Sequence, residues 1–350
     1  MVEHRASDLH LKVGSPPHVR VDGHIATTVF DPVVPADTNQ IALAVMPKER
    51  ADEFGTGGET DFALSVSGLG RFRVNVFRQR GSIGLVFRRV LPGMPSFDTL
   101  GLPGIVPRLA DETRGLVLVT GPTGSGRTTT LASMIDHINA TRAANIVTIE
   151  DPIEVLHPDK MAIVNQRELG TDTRDYASAL RRVLRQDPDV IAIGEIVDAA
   201  TMEAALSAAS TGHLVWSTMA TTRSAETVER IVDFFPPFHH RQVRLRLASC
   251  LRGIVSQGLL ERADGRGRVP GVEVLVNTNR VFDLIVDAET TPNQLAAVMT
   301  EGEYHGMQTF DQSLRHLYTN GLISLRDALA AASDARELRL SLTSSGLASA

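Results

Sequence analysis

The sequence predicts an α/β protein in which a small α+β domain precedes a doubly wound, largely parallel domain. Two patterns carry this. In roughly the first hundred residues, apolar side chains alternate with polar ones at period two, as in half-buried strands. Further on, short apolar runs without alternation are separated by stretches of helical periodicity, the signature of parallel strands buried on both faces by crossover helices. A proline- and glycine-rich stretch separates the two regimes.

Taken in order, Leu9, Leu11 and Val13 alternate with other residues, Pro16-Pro17 marks a turn, and Val19 and Val21 resume the pattern. Residues 36–54 carry a helical pattern through Ile41, Leu43, Ala44 and Met46. Phe72, Val74 and Val76 alternate with Arg71, Arg73 and Asn75, and residues 83–87 read as a further strand. The stretch from Leu91-Pro92-Gly93 to Leu102-Pro103-Gly104 reads as a linker or hinge. The apolar strands beyond it are residues 116–119, 146–149, 190–193 and 214–216. Leu131, Met134, Ile135 and Ile138 fall at helical spacing between the first two. The expected organisation is therefore an N-terminal domain over 1–91, a linker over 92–110, a second domain over 111–338 with C-terminal helices, and a disordered small, polar tail over 339–350.

The 350 residues suit about two domains, and 43% hydrophobic content supplies their cores. A net charge of −6 argues against a constitutive nucleic-acid binder. The one cysteine, Cys250, allows neither an intrachain disulfide nor a cysteine-based zinc site, and reads as a small core residue in a reducing cytosol. No apolar run approaches the ~20 residues of a membrane helix, so the expected location is cytoplasmic. Lysine is rare: Lys12, Lys48 and Lys160 against 32 arginines.

Chemistry enters at Gly121-Pro122-Thr123-Gly124-Ser125-Gly126-Arg127-Thr128-Thr129, set between a strand and a helix. This is the context of a phosphate-binding loop: glycines let successive N–H groups converge on one phosphate, and the helix N-terminus adds partial positive charge. Such a loop binds ATP, with the Thr128 hydroxyl placed for Mg²⁺. Arg127 stands where the pattern asks for lysine, so charge is kept while a slim point charge becomes a planar fork. Two later strands end in acids, Glu150-Asp151 and Gly194-Glu195. Ligands bind at the carboxyl ends of strands in open α/β sheets. An acid there holds the Mg²⁺ shell or orients the attacking water. Glu195, on the Walker-B-like strand, is thus a candidate for both catalysis and metal binding. Taken singly, each acid is more simply a helix cap, and His213, which opens the next strand, more simply a structural residue.

At these motifs the chain resembles the PilT-type retraction ATPases, the twitching-motility branch of the bacterial secretion-ATPase superfamily. The resemblance spans nearly the whole length: residues 6–11 with Arg20-Val21-Asp22-Gly23, residues 71–81, the aspartate box at 148–154, residues 164–168, the Walker B stretch from Arg185 to Glu195, and the histidine box opening at Thr211-Gly212-His213. It implies a RecA-like P-loop NTPase domain preceded by a PAS-like domain, a hexameric homo-oligomer binding ATP between subunits, and Mg²⁺-dependent hydrolysis. In this resemblance Glu195 is the catalytic carboxylate, Glu150 a supporting acid and His213 a neighbour of the phosphates. Arg73 and Arg80 reach nucleotide across a subunit interface. The implied partner is an inner-membrane pilus or secretion platform protein, which would place the chain peripherally on the inner face of the membrane. Extension-type relatives carry a four-cysteine zinc module, which one cysteine cannot supply.

Departures fall at functional motifs. Arg127 replaces lysine, Ala220 stands where the histidine box has its second histidine, and Ile196-Val197-Asp198 replaces Met-Arg-Asp. The stretch from Arg280 to Val286 lacks both arginines of the motif linked to retraction. They raise a second expectation, a hydrolysis-impaired accessory subunit working with an active paralogous ATPase. A third, a nucleic-acid translocase, rests only on Arg71, Arg73, Arg181, Arg182 and Arg185.

Overall fold

The computed structural model describes residues 6–21, 24–90 and 94–344, which form two compact units divided after residue 92, with residues 154–156 grouped with the first. The Asp22-Gly23 pair of the resemblance, the Leu91-Pro92-Gly93 stretch and residues 345–350 lie outside the described residues.

The first unit is a six-stranded antiparallel sheet in the order β3-β2-β1-β6-β5-β4. Its strands are β1 (Asp8–Leu11), β2 (His18–Val21), β3 (His24–Thr27), β4 (Glu59–Val66), β5 (Gly70–Gln79) and β6 (Ser82–Val90). The alternation of β5 is realised in space: Phe72, Val74 and Val76 are buried while Arg73 is exposed. They join Leu11, Phe54, Phe62, Leu85 and Phe87 in one core. The helical pattern over 36–54 is not one helix. It breaks into Pro35–Val45 and Lys48–Gly57, because Pro47 has no N–H to donate and pushes Met46 to an extended ψ of 124°. The strand β3 carries no alternation to betray it, since all four of its residues are exposed.

The second unit is a seven-stranded sheet in the order β13-β12-β7-β11-β10-β8-β9. The strands are β7 (Gly115–Thr120), β8 (Asn145–Glu150), β9 (Ile163–Glu168), β10 (Val190–Ile193), β11 (Leu214–Met219), β12 (Leu251–Glu261) and β13 (Arg268–Val276). All neighbours are parallel except the β12–β13 hairpin. The runs read as doubly buried strands are so: every residue of β7, β10 and β11 is buried. Helices on both faces close two apolar cores, one around Leu118, Ile191 and Val215, the other around Val117, Met134 and Trp216. Cys250 is a core residue, and burial pushes its thiol up to about 11.

Two boundaries differ from expectation. Much of the stretch taken as a linker is folded into the second unit. Helices Phe97–Leu100 and Ile105–Ala110 bury Phe97, Ile105, Val106 and Leu109 in its core, so the prolines and glycines there punctuate short helices. At the other end, helix Ala335–Ser344 runs into the stretch taken as a disordered tail. Leu338 and Leu342, spaced i and i+4, fall on one helix face and bury against a C-terminal cluster with Val269, Phe310 and Leu314. The Phe310 ring of that cluster packs over two glycines of the hairpin: a Cβ would lie 3.4 Å from its Cζ on Gly258 and 3.0 Å on Gly271. Among the described residues no helix is long and apolar enough to cross a membrane.

Leu342 is fully buried, so Leu342→Ala should cost about 2–4 kcal/mol, read as a lower thermal midpoint. A midpoint unchanged by the substitution would show the last helix to be frayed.

Candidate active site

The parallel sheet brings the C-terminal ends of β7, β11, β10 and β8 to one edge, and the phosphate loop leaves β7 there. The register pairs Thr120 with Met219 on one side and with Ser256 on the other. Gly121, Gly124 and Gly126 all have positive φ (148°, 81° and 92°), which glycine adopts without a Cβ penalty. At Gly121 the constraint is also one of space, because a Cβ would lie 2.3 Å from the carbonyl oxygen of Gln257 and 2.4 Å from Ser125 Oγ. Pro122, Thr123 and Gly124 form the exposed crown of the loop, and Ser125 is buried beneath it. Helix Arg127–Thr141 starts directly from Gly126, so its N-terminal amides, Thr128 and Thr129 included, lie at the loop. The Ser125 hydroxyl is buried without a hydrogen-bond partner. An orphaned buried donor under a glycine nest at a helix N-terminus fits an anionic phosphate group.

The structure brings Arg127 and Glu195 together. Glu195 follows β10, held by a hydrogen bond from Gly194 N to Ile149 O (2.8 Å) and another from Thr218 Oγ1 to Gly194 O (2.7 Å). Its Oε1 accepts from Arg127 Nη1 at 2.8 Å, an ion pair in which the arginine side chain is 15% exposed. The residue in the lysine position therefore engages the candidate catalytic acid. Glu150 ends the adjacent strand, and its Oε1 accepts from Thr148 Oγ1 (2.5 Å) and Gln166 Nε2 (2.9 Å), so this carboxylate is fixed in place. Gln166 Oε1 also accepts from His157 N (2.9 Å), and Glu168 Oε2 accepts from Ile153 N (2.9 Å), so β9 pins the backbone that follows the acid.

His213 is a correction. It immediately precedes β11, and its carbonyl accepts from Gly115 N at the start of β7 (2.9 Å). The phosphate loop leaves the other end of β7, about 17 Å away at ~3.3 Å per residue. The expectation that His213 neighbours the phosphates fails because parallel strands put their first residues at the edge opposite the ligand. Its ring instead lies by Thr211 Oγ1 (3.3 Å) and the carbonyl of Ala208 (3.2 Å). The end of β11 that does reach the loop edge leads into Ala220, where the resemblance has a histidine; Gly121 N donates to Met219 O there (3.3 Å).

Arg73 and Arg80 are both exposed in the first unit. Arg80 forms a two-residue hairpin turn with Gly81 between β5 and β6, both at positive φ (51° and 79°). The helix Asn279–Val286 holds Phe282 and Val286 where the retraction motif has arginines, and both pack against the apolar core.

Two residues of this edge escaped the sequence reading. Tyr176 places its hydroxyl over Gly194, where a Cβ would lie 2.9 Å from it, and burial together with Asp151, Glu195 and Glu150 pushes that hydroxyl upward. A lone tyrosine on an amphipathic helix gives no signal. Gln257 did give one, being a polar residue in the apolar run of β12. It is buried, with Oε1 accepting from Thr130 Oγ1 (2.9 Å) and Nε2 donating to Ser125 O (2.7 Å).

Fold and site together define a RecA-like, P-loop nucleotide-binding domain with two carboxylates at the loop edge. The sequence model of the type II/IV secretion system protein family matches residues 85–327. Type IV pilus ATPase PilU of Pseudomonas aeruginosa is 43% identical over 340 residues, 97% of this chain and 88% of that protein. Type IV pilus retraction ATPase PilT of the same organism is 42% identical over 323 residues, 92% of this chain and 93% of that protein. A crystal structure of the pilus retraction motor PilT with bound ADP superposes with a TM-score of 0.88 at 46% identity, covering 97% of this chain and 96% of that one. The Legionella pneumophila ATPase DotB follows at a TM-score of 0.73 and 27% identity, covering 93% and 91%. The chain belongs to the type II/IV secretion family, as an ATPase of the PilT type.

Gly121→Ala would force a side chain into the carbonyl of Gln257 at a strained φ, so ADP affinity should fall at least tenfold in a calorimetric titration. An undiminished affinity would mean that this nest is not the phosphate site. His157 is buried, and burial lowers its pKa from 6.5 to about 4, against the upward pull of Asp136. The neutral form is the folded one. Its contribution is complete above pH 6.5 and is lost as pH falls towards 4, up to about 3 kcal/mol. Denaturant unfolding at pH 7 and pH 5 should show the loss, and His157→Gln should flatten that slope.

Proposed function

We propose that this chain is a ring-forming motor subunit that couples Mg²⁺-dependent ATP hydrolysis to type IV pilus retraction. The observation that carries the reading is the convergence of the glycine nest, Glu195 and Glu150 on one sheet edge, in a chain similar over nearly its whole length to PilT, one of whose structures holds ADP. The N–H groups of the loop and of the first helical turn at Arg127, Thr128 and Thr129 hold the phosphates, Pro122 having none to give and that of Gly121 being taken by Met219 O. Thr128 and Glu195 would hold a magnesium ion, which would supply charge neutralisation at the phosphates. Glu195 orients the attacking water and takes its proton, and Glu150, fixed by Thr148 and Gln166, supports it. Arg73 and Arg80 act from a neighbouring subunit of a hexamer. The protein works in the cytoplasm, at the inner face of the membrane, through a platform protein.

The Arg127–Glu195 ion pair shapes this activity. While it stands, the carboxylate that must face water is paired and the cation that must face phosphate is turned away, so turnover requires the pair to open. That pair, with Ala220 at the loop edge, also favours a second reading, a nucleotide-binding accessory subunit beside an active paralogue.

Phosphate release by the purified protein with Mg²⁺ decides between them. The motor reading expects turnover that Glu195→Gln lowers at least a hundredfold and that Arg127→Lys raises about fivefold. Release no faster than that of Glu195→Gln, with ADP binding intact, selects the accessory subunit.

A further inference from the structure

We infer that Gln257 is the positioning residue of the phosphate loop, the side chain from a neighbouring strand that holds the nest in its phosphate-binding shape. The inference rests on the nucleotide-binding reading and adds to it a residue outside every motif of the loop.

The register explains why this position has the task. Ser256 pairs with Thr120, their hydroxyls 2.7 Å apart, so the next residue of β12 lies beside Gly121 as the loop leaves the sheet. The backbone carbonyl of Gln257 then occupies the space a Cβ on Gly121 would need, and its Nε2 lies 3.0 Å from where a Cβ on Gly126 would be. The backbone of this one residue thus excludes a side chain at the first glycine of the nest, and its amide crowds the last, which a φ of 92° already reserves for glycine.

The side chain completes the arrangement. Gln257 is 4% exposed, and protein groups satisfy its amide in one orientation. The amide N–H must face the Ser125 carbonyl, which only accepts, so the amide oxygen faces the Thr130 hydroxyl. One planar group therefore ties the loop, at Ser125, to the first turn of the helix it feeds, at Thr130. With the Ser125 carbonyl drawn towards β12, the Ser125–Gly126 peptide is oriented and the following N–H groups face the nest. No aliphatic side chain of the same size does this, and a carboxylate would set negative charge against the Ser125 carbonyl.

The test is a calorimetric titration of ADP with Mg²⁺ into the full chain and three variants, with thermal unfolding measured alongside. Gln257→Met keeps length and removes both hydrogen bonds; it should weaken ADP binding about tenfold or more. Thr130→Val removes one bond and should weaken binding about threefold, while Thr130→Ser, which keeps the hydroxyl, should bind as the unaltered protein does. A purely structural role would lower the folded fraction and the fitted stoichiometry and leave the dissociation constant alone. Binding by Gln257→Met within twofold of the unaltered protein overturns the inference and leaves nucleotide binding standing. No ADP binding by the unaltered protein overturns both. Should Gln257→Met fail to fold, the Thr130 pair decides: equal affinities for valine and serine overturn the inference.

Discussion

The nucleotide site depends on how closely two neighbouring parallel strands leave the sheet. Strand β7 ends at Thr120 and turns into the loop, while β12, paired to it through Ser256, continues for five more residues alongside. The loop must therefore curl against a strand that does not yield. The carbonyl and amide of Gln257 fill the space where side chains at Gly121 and Gly126 would go. The glycines provide conformational freedom, and the adjoining strand uses that freedom to select one conformation.

The second determinant is the exchange of lysine for arginine at 127. An ammonium on a flexible stem can leave one partner and point along the loop. A guanidinium presents a planar fork that is well satisfied by a carboxylate. Here it meets Glu195, so the cation in the lysine position and the acid that follows β10 neutralise each other across the loop edge. The arginine-rich composition matters in this sense: a change neutral for net charge alters which oppositely charged group is the better partner.

Much of this was legible in the sequence because it is written in local patterns. The doubly buried strands, the loop between strand and helix, and the acids after residues 149 and 194 each follow from periodicity or from turn chemistry. What was not legible depends on direction or on contacts distant in sequence. His213 reads as a site residue until strand polarity places it at the far edge, and the chain direction makes Ala220 the informative position of that box. The helix pattern over 36–54 conceals a break that Pro47 alone dictates. The stretch over 92–110 looks like a hinge by composition, yet Phe97 and Val106 find apolar partners in the second unit. Tyr176 and Gln257 lie against groups far from them in sequence, Gly194 and Ser125, which no periodicity joins.

The Phe310 ring seated over Gly258 and Gly271 gives the C-terminal helices a purchase on the hairpin one residue away from Gln257. The C-terminal helices and the strand that carries Gln257 thus share one packing contact, set apart in the sheet from the carboxylates that follow β8 and β10.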